Sequence, residues 1–211
     1  MRGSGLPCAS TAWHGCCSQR RSMSDDIQTE TVVIPVGNAR LSGVLFLPPR
    51  PLGIVVLIDV SGSTLPNPSH VFVARALARF GLTALVINLL TASEATIDAH
   101  TAWLRGDTRL LAERIAAARR WLATRPDTED LPLGLFAADA GAAAALSAIQ
   151  DEPGFAAIVC WTDEKHADGG RVPTLFVTAS EPLDAVTDLA VRWFEQQLGS
   201  AWRSPPSRPS P

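Results

Sequence analysis

The sequence predicts an α/β fold, a mostly parallel sheet with helices on both faces. Short runs of β-branched and apolar residues, of which Gly53–Val60 is the clearest, are typical of strands buried on both faces of a parallel sheet. Segments with helical periodicity separate these runs. Alternating strands and helices require right-handed crossovers, which place helices on both faces. Functional sites in such sheets form at the carboxyl ends of the strands.

The elements follow from local signals. The first two strands surround a VGNA turn, and a PPRP segment precedes the third. Ser69 is a candidate N-cap for the first helix, which Gly81 can end. The predicted strands are Thr31–Pro35, Leu41–Leu47, Gly53–Val60, Leu82–Leu89, Leu131–Ala138, Phe155–Trp161 and Thr174–Thr178. The predicted helices are Val71–Phe80, Thr108–Ala123, Ala140–Gln150 and Leu183–Leu198, with only a polar segment between Leu89 and Thr108.

Both ends of the chain differ in composition from the part between them. Residues 1–22 contain three Arg, several Ser, no acid and no apolar core of a secretory signal, whereas Met23 opens an ordinary start. We interpret 1–22 as a disordered extension that results from a misplaced start, with a transit peptide as the alternative. Residues 23–199 then form the α/β domain. Residues 200–211 are rich in Pro and Ser and predict a disordered tail.

Composition narrows the function classes. With 46% hydrophobic residues and a mean hydropathy of +0.14, the chain is globular. A net charge of −3 without a basic stripe gives no indication of a nucleic acid or a membrane as partner. Three of the four Cys lie in the first 22 residues, so we expect no structural disulfide and a cytoplasmic protein. We expect neither a cofactor nor a metal, because no second ligand pair follows Cys16 and Cys17 at a zinc-site spacing.

Several motifs in order carry a family resemblance. DVSGS stands at 59–63 after the third predicted strand, AADAG at 137–141 joins a strand to a helix, and VPTLFVTASEP precedes the last helix. With these motifs, the chain from about Thr31 to Leu198 resembles the dienelactone-hydrolase-like branch of the α/β-hydrolases. The resemblance implies a nucleophile, an acid and a histidine in that chain order. It also implies an oxyanion hole built from two backbone N–H groups.

The sequence departs from this pattern at the nucleophile and at the histidine. Asp139 stands where the serine is expected, and Ala137 replaces the first glycine of the turn, which favours a relaxed turn. Asp139 is then either the N-cap of a helix that starts at Ala140, which we favour, or a carboxylate nucleophile. No histidine follows the Ala179–Asp184 segment, so the eighth strand and its loop are predicted to be missing.

The remaining candidates replace the other parts of a triad. His166 is the candidate base, although a histidine in a polar loop is usually only solvated. Glu181 or Asp184 is the candidate acid, with Asp163 or Glu164 as substitutes. His70 is predicted to be exposed or to cap a helix.

The loop after the third strand supplies the candidate oxyanion or pocket residues. These are Asp59, Val60 and Ser61, together with Ala140 after the nucleophile position. A carboxylate at Asp59 repels the negative charge that an oxyanion hole stabilises. Asp59 and Asp139 could hold a cation, but nothing fixes a complete ligand set, so no metal is predicted. Ser61 and Ser63 are conceivable nucleophiles and fit better as turn residues.

Two functional hypotheses follow. The favoured one is a hydrolase-like fold that has lost triad hydrolysis and serves in binding or interaction, or is a decaying paralogue. The alternative is an active hydrolase of ester-type substrates with Asp139 as nucleophile and His166 as base. A small-molecule ligand is expected at the carboxyl edge of the sheet. Loss of the eighth strand would expose the Pro173–Thr178 strand as an edge on which two copies could pair.

The first prediction concerns residues 1–22. Because this segment has no apolar periodicity to bury, a chain that starts at Met23 should unfold at the same temperature as the full chain. Thermal unfolding of both chains measures this. A midpoint that falls by more than a few degrees would show that the segment packs on the domain.

Overall fold

The computed structural model describes residues 26–63, 65–164 and 170–203. The strands are β1 (Gln28–Val36), β2 (Ala39–Leu47), β3 (Gly53–Asp59), β4 (Leu82–Asn88), β5 (Leu133–Ala138), β6 (Phe155–Trp161) and β7 (Thr174–Val177). The helices are α1 (Pro68–Arg79), α2 (Ala92–Thr101), α3 (Trp103–Gly106), α4 (Thr108–Leu122), α5 (Gly141–Asp151) and α6 (Leu183–Arg203). Every predicted strand and helix is present, with ends that shift by up to five residues.

The strands form one sheet in the order β1-β2-β4-β3-β5-β6-β7. β1 pairs with β2 and β2 with β4 in antiparallel fashion, whereas all pairs from β4 to β7 are parallel. The predicted mostly parallel sheet is therefore confirmed. Within the described ranges β7 is an edge strand, and residues 178–182 connect it directly to α6. The predicted absence of an eighth strand holds for this part of the chain.

Each face of the sheet packs against its own helices. One core joins the sheet to α4 and α5, and the other joins it to α1 and α6. Phe136 of β5 and Phe194 of α6 are fully buried in the second core. Since side chains alternate along a strand, Leu57 and Asp59 of β3 point to this second face together with Phe136.

The segment between Leu89 and Thr108 is helical, which the sequence analysis did not predict. Thr91 and Glu94 form a capping box at the start of α2, where the Thr91 hydroxyl accepts from the Glu94 N–H and the Thr91 N–H donates to the Glu94 carboxylate. Buried Arg114 of α4 donates to that carboxylate and to the Leu89 carbonyl. The hydrogen bond from Arg114 to the Glu94 carboxylate is the main reason why the pKa of Glu94 falls to about 2. These bonds fix the chain that leaves β4.

Two helix ends also differ from prediction. Asn67, not Ser69, caps α1 and accepts from the Ser69 N–H, because Pro68 occupies the first helical position. α6 continues to Arg203, four residues into the predicted tail, since the first proline beyond it is Pro205. The rest of that tail and the predicted extension 1–22 lie outside the described residues.

The second prediction tests the packing of α6 on the sheet. A Cβ added at Gly134 of β5 would lie 2.6 Å from a ring carbon of Phe194. Gly134→Ala should therefore lower the free energy of unfolding by about 1–3 kcal/mol. Urea unfolding measures the loss.

Gly199→Ala is the matched control, because a Cβ at Gly199 in α6 would have no neighbour within 4 Å. Removing a glycine from a helix interior should stabilise the protein by up to about 1 kcal/mol. Equal effects of the two substitutions would contradict this account of the packing.

Candidate functional site

The candidate site lies where β3 and β5 end. These strands are parallel neighbours, so Asp59, the last residue of β3, and Asp139, directly after β5, come to the same edge of the sheet. The predicted meeting of the two carboxylates at this edge follows from the observed register. Asp59 is 5% exposed, whereas Asp139 is exposed. One carboxylate is therefore within the protein and the other at its surface.

Asp139 stands in a sharp turn. Its φ of 44° lies in the left-handed region, which non-glycine residues rarely adopt. Its N–H donates to the Trp161 carbonyl at 3.0 Å, and its carbonyl accepts from the Ala142 N–H. The prediction of a relaxed turn is thus wrong.

The favoured role of Asp139 as an N-cap is also wrong. The cap residue is Ala140 and α5 begins at Gly141, so Asp139 lies one residue too early, and no side chain caps this helix. The backbone keeps the geometry that presents a nucleophile in an α/β-hydrolase, with a carboxylate in the nucleophile's place.

The loop between β3 and α1 closes on Asp59. The Ser61 N–H donates to Asp59 Oδ1 at 2.9 Å, and the Ser61 hydroxyl donates to Asp59 Oδ2 at 3.0 Å. Ser63 donates its N–H to the Ser61 hydroxyl. Both donors of Ser61 are therefore directed at the protein's own carboxylate, and the side chains of Ser61 and Ser63 bond within the loop.

Asn88, at the end of β4, fixes the same loop. Its Oδ1 accepts from the Gly62 N–H at 3.1 Å, and its Nδ2 donates to the Ser63 carbonyl at 2.9 Å. Gly62 has a φ of +66°, and a Cβ there would lie 2.1 Å from the Ala95 Cβ. Asn88 was not among the predicted site residues, although a polar residue at the end of a buried strand is a usable signal.

His70 is the second site residue that the sequence analysis missed. It is 6% exposed, not exposed or capping as predicted, and neither ring nitrogen has a hydrogen-bond partner among the described residues. Its ring meets the Phe136 ring edge-on, with centroids 6.0 Å apart. The helical spacing of His70, Val73, Ala74 and Leu77, all buried, is the signal that could have revealed it.

The charge state of His70 follows from its surroundings. Burial lowers the pKa of His70 from its ordinary value of 6.5, while the carboxylates of Asp59 and Asp139 act in the opposite direction and are weaker. His70 is accordingly neutral at pH 7. A neutral imidazole with both nitrogens closed to solvent cannot take a proton from a substrate or a water in this conformation.

Comparison with solved structures identifies the fold. The crystal structure of dienelactone hydrolase from Anabaena variabilis matches with a TM-score of 0.72 and 31% identity, over 82% of this chain and 99% of that chain. The chain belongs to the dienelactone-hydrolase-like branch of the α/β-hydrolases. A cold-adapted esterase from an Arctic intertidal metagenomic library shares the fold at 14% identity, with a TM-score of 0.62 over 89% of this chain and 99% of that chain.

Sequence comparison adds a different name. Two Mycobacterium tuberculosis proteins, both named "Putative phosphoribosyl transferase", are 38% identical over 125 residues, which is 59% of this chain. The chain spans about a quarter of the length of these relatives, since the match covers 27% of each. No family model matches the chain.

The structure describes the candidate acids of the triad but not the candidate base. Glu181 is exposed in the link between β7 and α6, and its side chain makes no hydrogen bond to another described residue. Asp184 is exposed in the first turn of α6, and Asp163 accepts from the Ala179 N–H. His166 lies outside the described residues. Of the triad positions, only that of the nucleophile has a defined geometry here.

Within 26–63, 65–164 and 170–203, no group of three or more His, Cys, Asp or Glu side chains could hold a metal ion. No helix in these ranges is long and apolar enough to cross a membrane.

The third prediction concerns His70. At pH 7.5, His70→Leu should leave the free energy of unfolding unchanged or raise it by about 1–2 kcal/mol, because two buried nitrogens without partners are removed. The unfolded chain binds a proton more readily than folded His70 does. The wild type should therefore lose stability as the pH falls below about 6.5, the ordinary pKa. His70→Leu should lack that part of the loss.

Thr83→Val is the control, because the buried Thr83 hydroxyl also has no partner but does not titrate. It should raise stability and keep the wild-type pH dependence. Urea unfolding between pH 5 and pH 7.5 measures both variants. The account of His70 fails if its replacement leaves the pH dependence unchanged.

Proposed function

We propose that this protein uses the dienelactone-hydrolase-like fold to bind a small molecule at the carboxyl edge of its sheet and has lost triad hydrolysis. The observation that carries the proposal is the contact between Asp59 and Ser61. An oxyanion hole needs an N–H from this loop pointed at the developing negative charge. In this loop the Ser61 N–H already donates to the Asp59 carboxylate, which would repel the developing charge.

The triad positions support the same proposal. Asp139 replaces the serine, and residues 178–182, which connect β7 to α6, contain no histidine. The one histidine near Asp139 among the described residues is His70, whose nitrogens are buried. A carboxylate can attack without a base, but the ester that it forms is cleaved only by a water that a base activates, and buried His70 is not accessible for that step.

The turn at Asp139 favours a second candidate, an ester hydrolase with Asp139 as nucleophile and His166 as base. Strained backbone conformations cluster at active sites, and the φ of 44° presents the carboxylate at the surface. Attack by a carboxylate would form an ester that a base-activated water must then cleave. This candidate therefore depends on His166 reaching Asp139.

The name "Putative phosphoribosyl transferase" belongs to relatives of which the match covers 27% of the length. We do not extend it to this chain. Phosphoribosyl donors carry several negative charges, and binding them requires basic groups, a helix N-terminus or a metal. The edge that carries Asp59 and Asp139 would repel such a substrate.

We further propose a cytoplasmic protein whose copies can pair through β7. In the described part of the chain Cys160 is a buried thiol without a disulfide, and burial raises its pKa to about 12. β7 pairs on one side only, with β6, and Phe176 on it is 40% exposed. Unpaired strand edges are templates for pairing with a second chain.

The fourth prediction is that the protein cleaves aryl acetates at the background rate. Asp139→Ser should not restore turnover, because the serine would still lack a base and the Ser61 N–H would still be engaged by Asp59. Initial rates of 4-nitrophenyl acetate hydrolysis by purified wild type and variant measure this. Circular dichroism verifies that the variant folds.

His166→Ala and Asp139→Asn separate the two candidates. If the wild type turns over and His166→Ala loses at least about 100-fold, which is the scale of a general base, the second candidate is correct. Turnover that survives both substitutions would contradict both candidates.

A further inference from the structure

A cavity beside the candidate site is built from the β3–α1 loop and the uncovered part of the sheet at β1, β2 and β4. It has a volume of about 230 Å³, which corresponds to roughly seven or eight water molecules at their bulk density. Drug-sized ligands occupy larger pockets, of about 300–1,000 Å³. The cavity therefore suits a small molecule.

The charge of the cavity comes from Asp59, the one ionisable residue among the described residues that line it. The hydrogen bonds of its carboxylate to described residues both come from Ser61, a neutral group, and no described Lys or Arg forms an ion pair with it. Asp139 adds a second negative charge near this edge, and the neighbouring His70 is neutral at pH 7. Burying a carboxylate without a cationic partner is costly, and a bound cation would offset that cost.

The rest of the lining fits the remainder of such a ligand. The exposed hydroxyls of Thr31 and Ser42 make no hydrogen bond to another described residue, so they can bind polar groups. Leu65, which is 73% exposed, and Pro66 form an apolar lip. The bonds of Asn88 hold this loop in place, so the cavity exists before a ligand binds.

We propose that this cavity binds a small organic ammonium ion, with the charged group against Asp59 and its apolar part against Leu65 and Pro66. Each oxygen of the Asp59 carboxylate accepts one bond from Ser61 and keeps a second lone pair for an ammonium donor. The inference rests on the proposed binding function and gives it a ligand class. Anionic ligands are disfavoured by the same carboxylate.

Three probes that differ mainly in charge test the proposal: benzylammonium, benzyl alcohol and benzoate. Binding to the full chain at pH 7 is measured by isothermal titration calorimetry and by NMR chemical shifts. Benzylammonium should bind at least about tenfold more tightly than either of the others. Raising the salt concentration should weaken its binding, because the attraction is between charges.

Asp59→Asn keeps the shape and the bond from the Ser61 N–H, while its amide nitrogen would donate to the Ser61 hydroxyl instead of accepting from it. It should weaken benzylammonium binding by at least about tenfold, with no effect on benzyl alcohol. Asp139→Asn is the matched control, because Asp139 does not line the cavity, and it should weaken binding by less than about threefold. Ser42→Lys alters an exposed strand position without touching the loop. It places a cation in the cavity and should abolish binding even if Asp59→Asn fails to fold.

The proposal is overturned if benzylammonium binds no more tightly than benzyl alcohol, if no probe binds at 50 mM, or if Ser42→Lys leaves binding intact. Ester turnover is measured on the same samples. Turnover above background would contradict the proposed function, whereas background turnover without charge-selective binding would contradict the ligand class alone.

Discussion

The side chain of Asn88 is the constraint on which the candidate site depends. Its amide oxygen accepts from the N–H groups of Gly62 and Leu90, and its amide nitrogen donates to the Ser63 carbonyl. One buried amide thus joins the loop after β3 to the chain that leaves β4. Because buried polar groups must be satisfied, both segments are held in one arrangement. This arrangement holds the loop that follows Asp59 and forms one wall of the cavity.

In this arrangement the Asp59 carboxylate accepts the kind of hydrogen bond that a substrate oxyanion would accept in a hydrolase. A hydrolase loop leaves its N–H groups unoccupied until an oxyanion forms, which is why such groups stabilise a transition state. Here the Ser61 N–H is satisfied in the resting protein by a permanent negative charge. The same residue also lines the cavity beside the site. The proposed loss of triad hydrolysis and the proposed binding of a cation therefore both depend on Asp59.

Much of the fold could be predicted because strong local signals agree with the final structure. The strands β3, β4 and β6 are nearly continuous apolar runs, which are typical of strands buried on both faces of a sheet. The helices that separate them in the sequence indicate parallel pairing. The helix α2 was missed, although Thr91 and Glu94 stand at capping-box spacing, because its sequence lacks a broad apolar face. Only Asp98 is buried in it.

The details of the site were harder to predict, because they depend on single-residue differences. A helix start at Gly141 rather than Ala140 decides whether Asp139 caps a helix or occupies a left-handed turn. His70 was judged by its polarity, although its position on α1 places it in the buried stripe. The bond from Ser61 to Asp59 has the spacing of an Asx turn and is a local signal that could have been used, whereas no local signal specifies that Asn88 of β4 holds the same loop.

The left-handed turn at Asp139 is explained by packing without any reference to chemistry. A Cβ at Gly141 would lie 3.2 Å from Ile58, so α5 approaches β3 closely at its first residue. The Asp139 N–H is held by the Trp161 carbonyl of β6. Since only Asp139 and Ala140 lie between β5 and α5, the chain must turn sharply there, and aspartate tolerates the left-handed conformation better than most residues. The strain therefore persists whether or not a nucleophile is needed. The chemistry of the edge is decided by the side chains at 59 and 139.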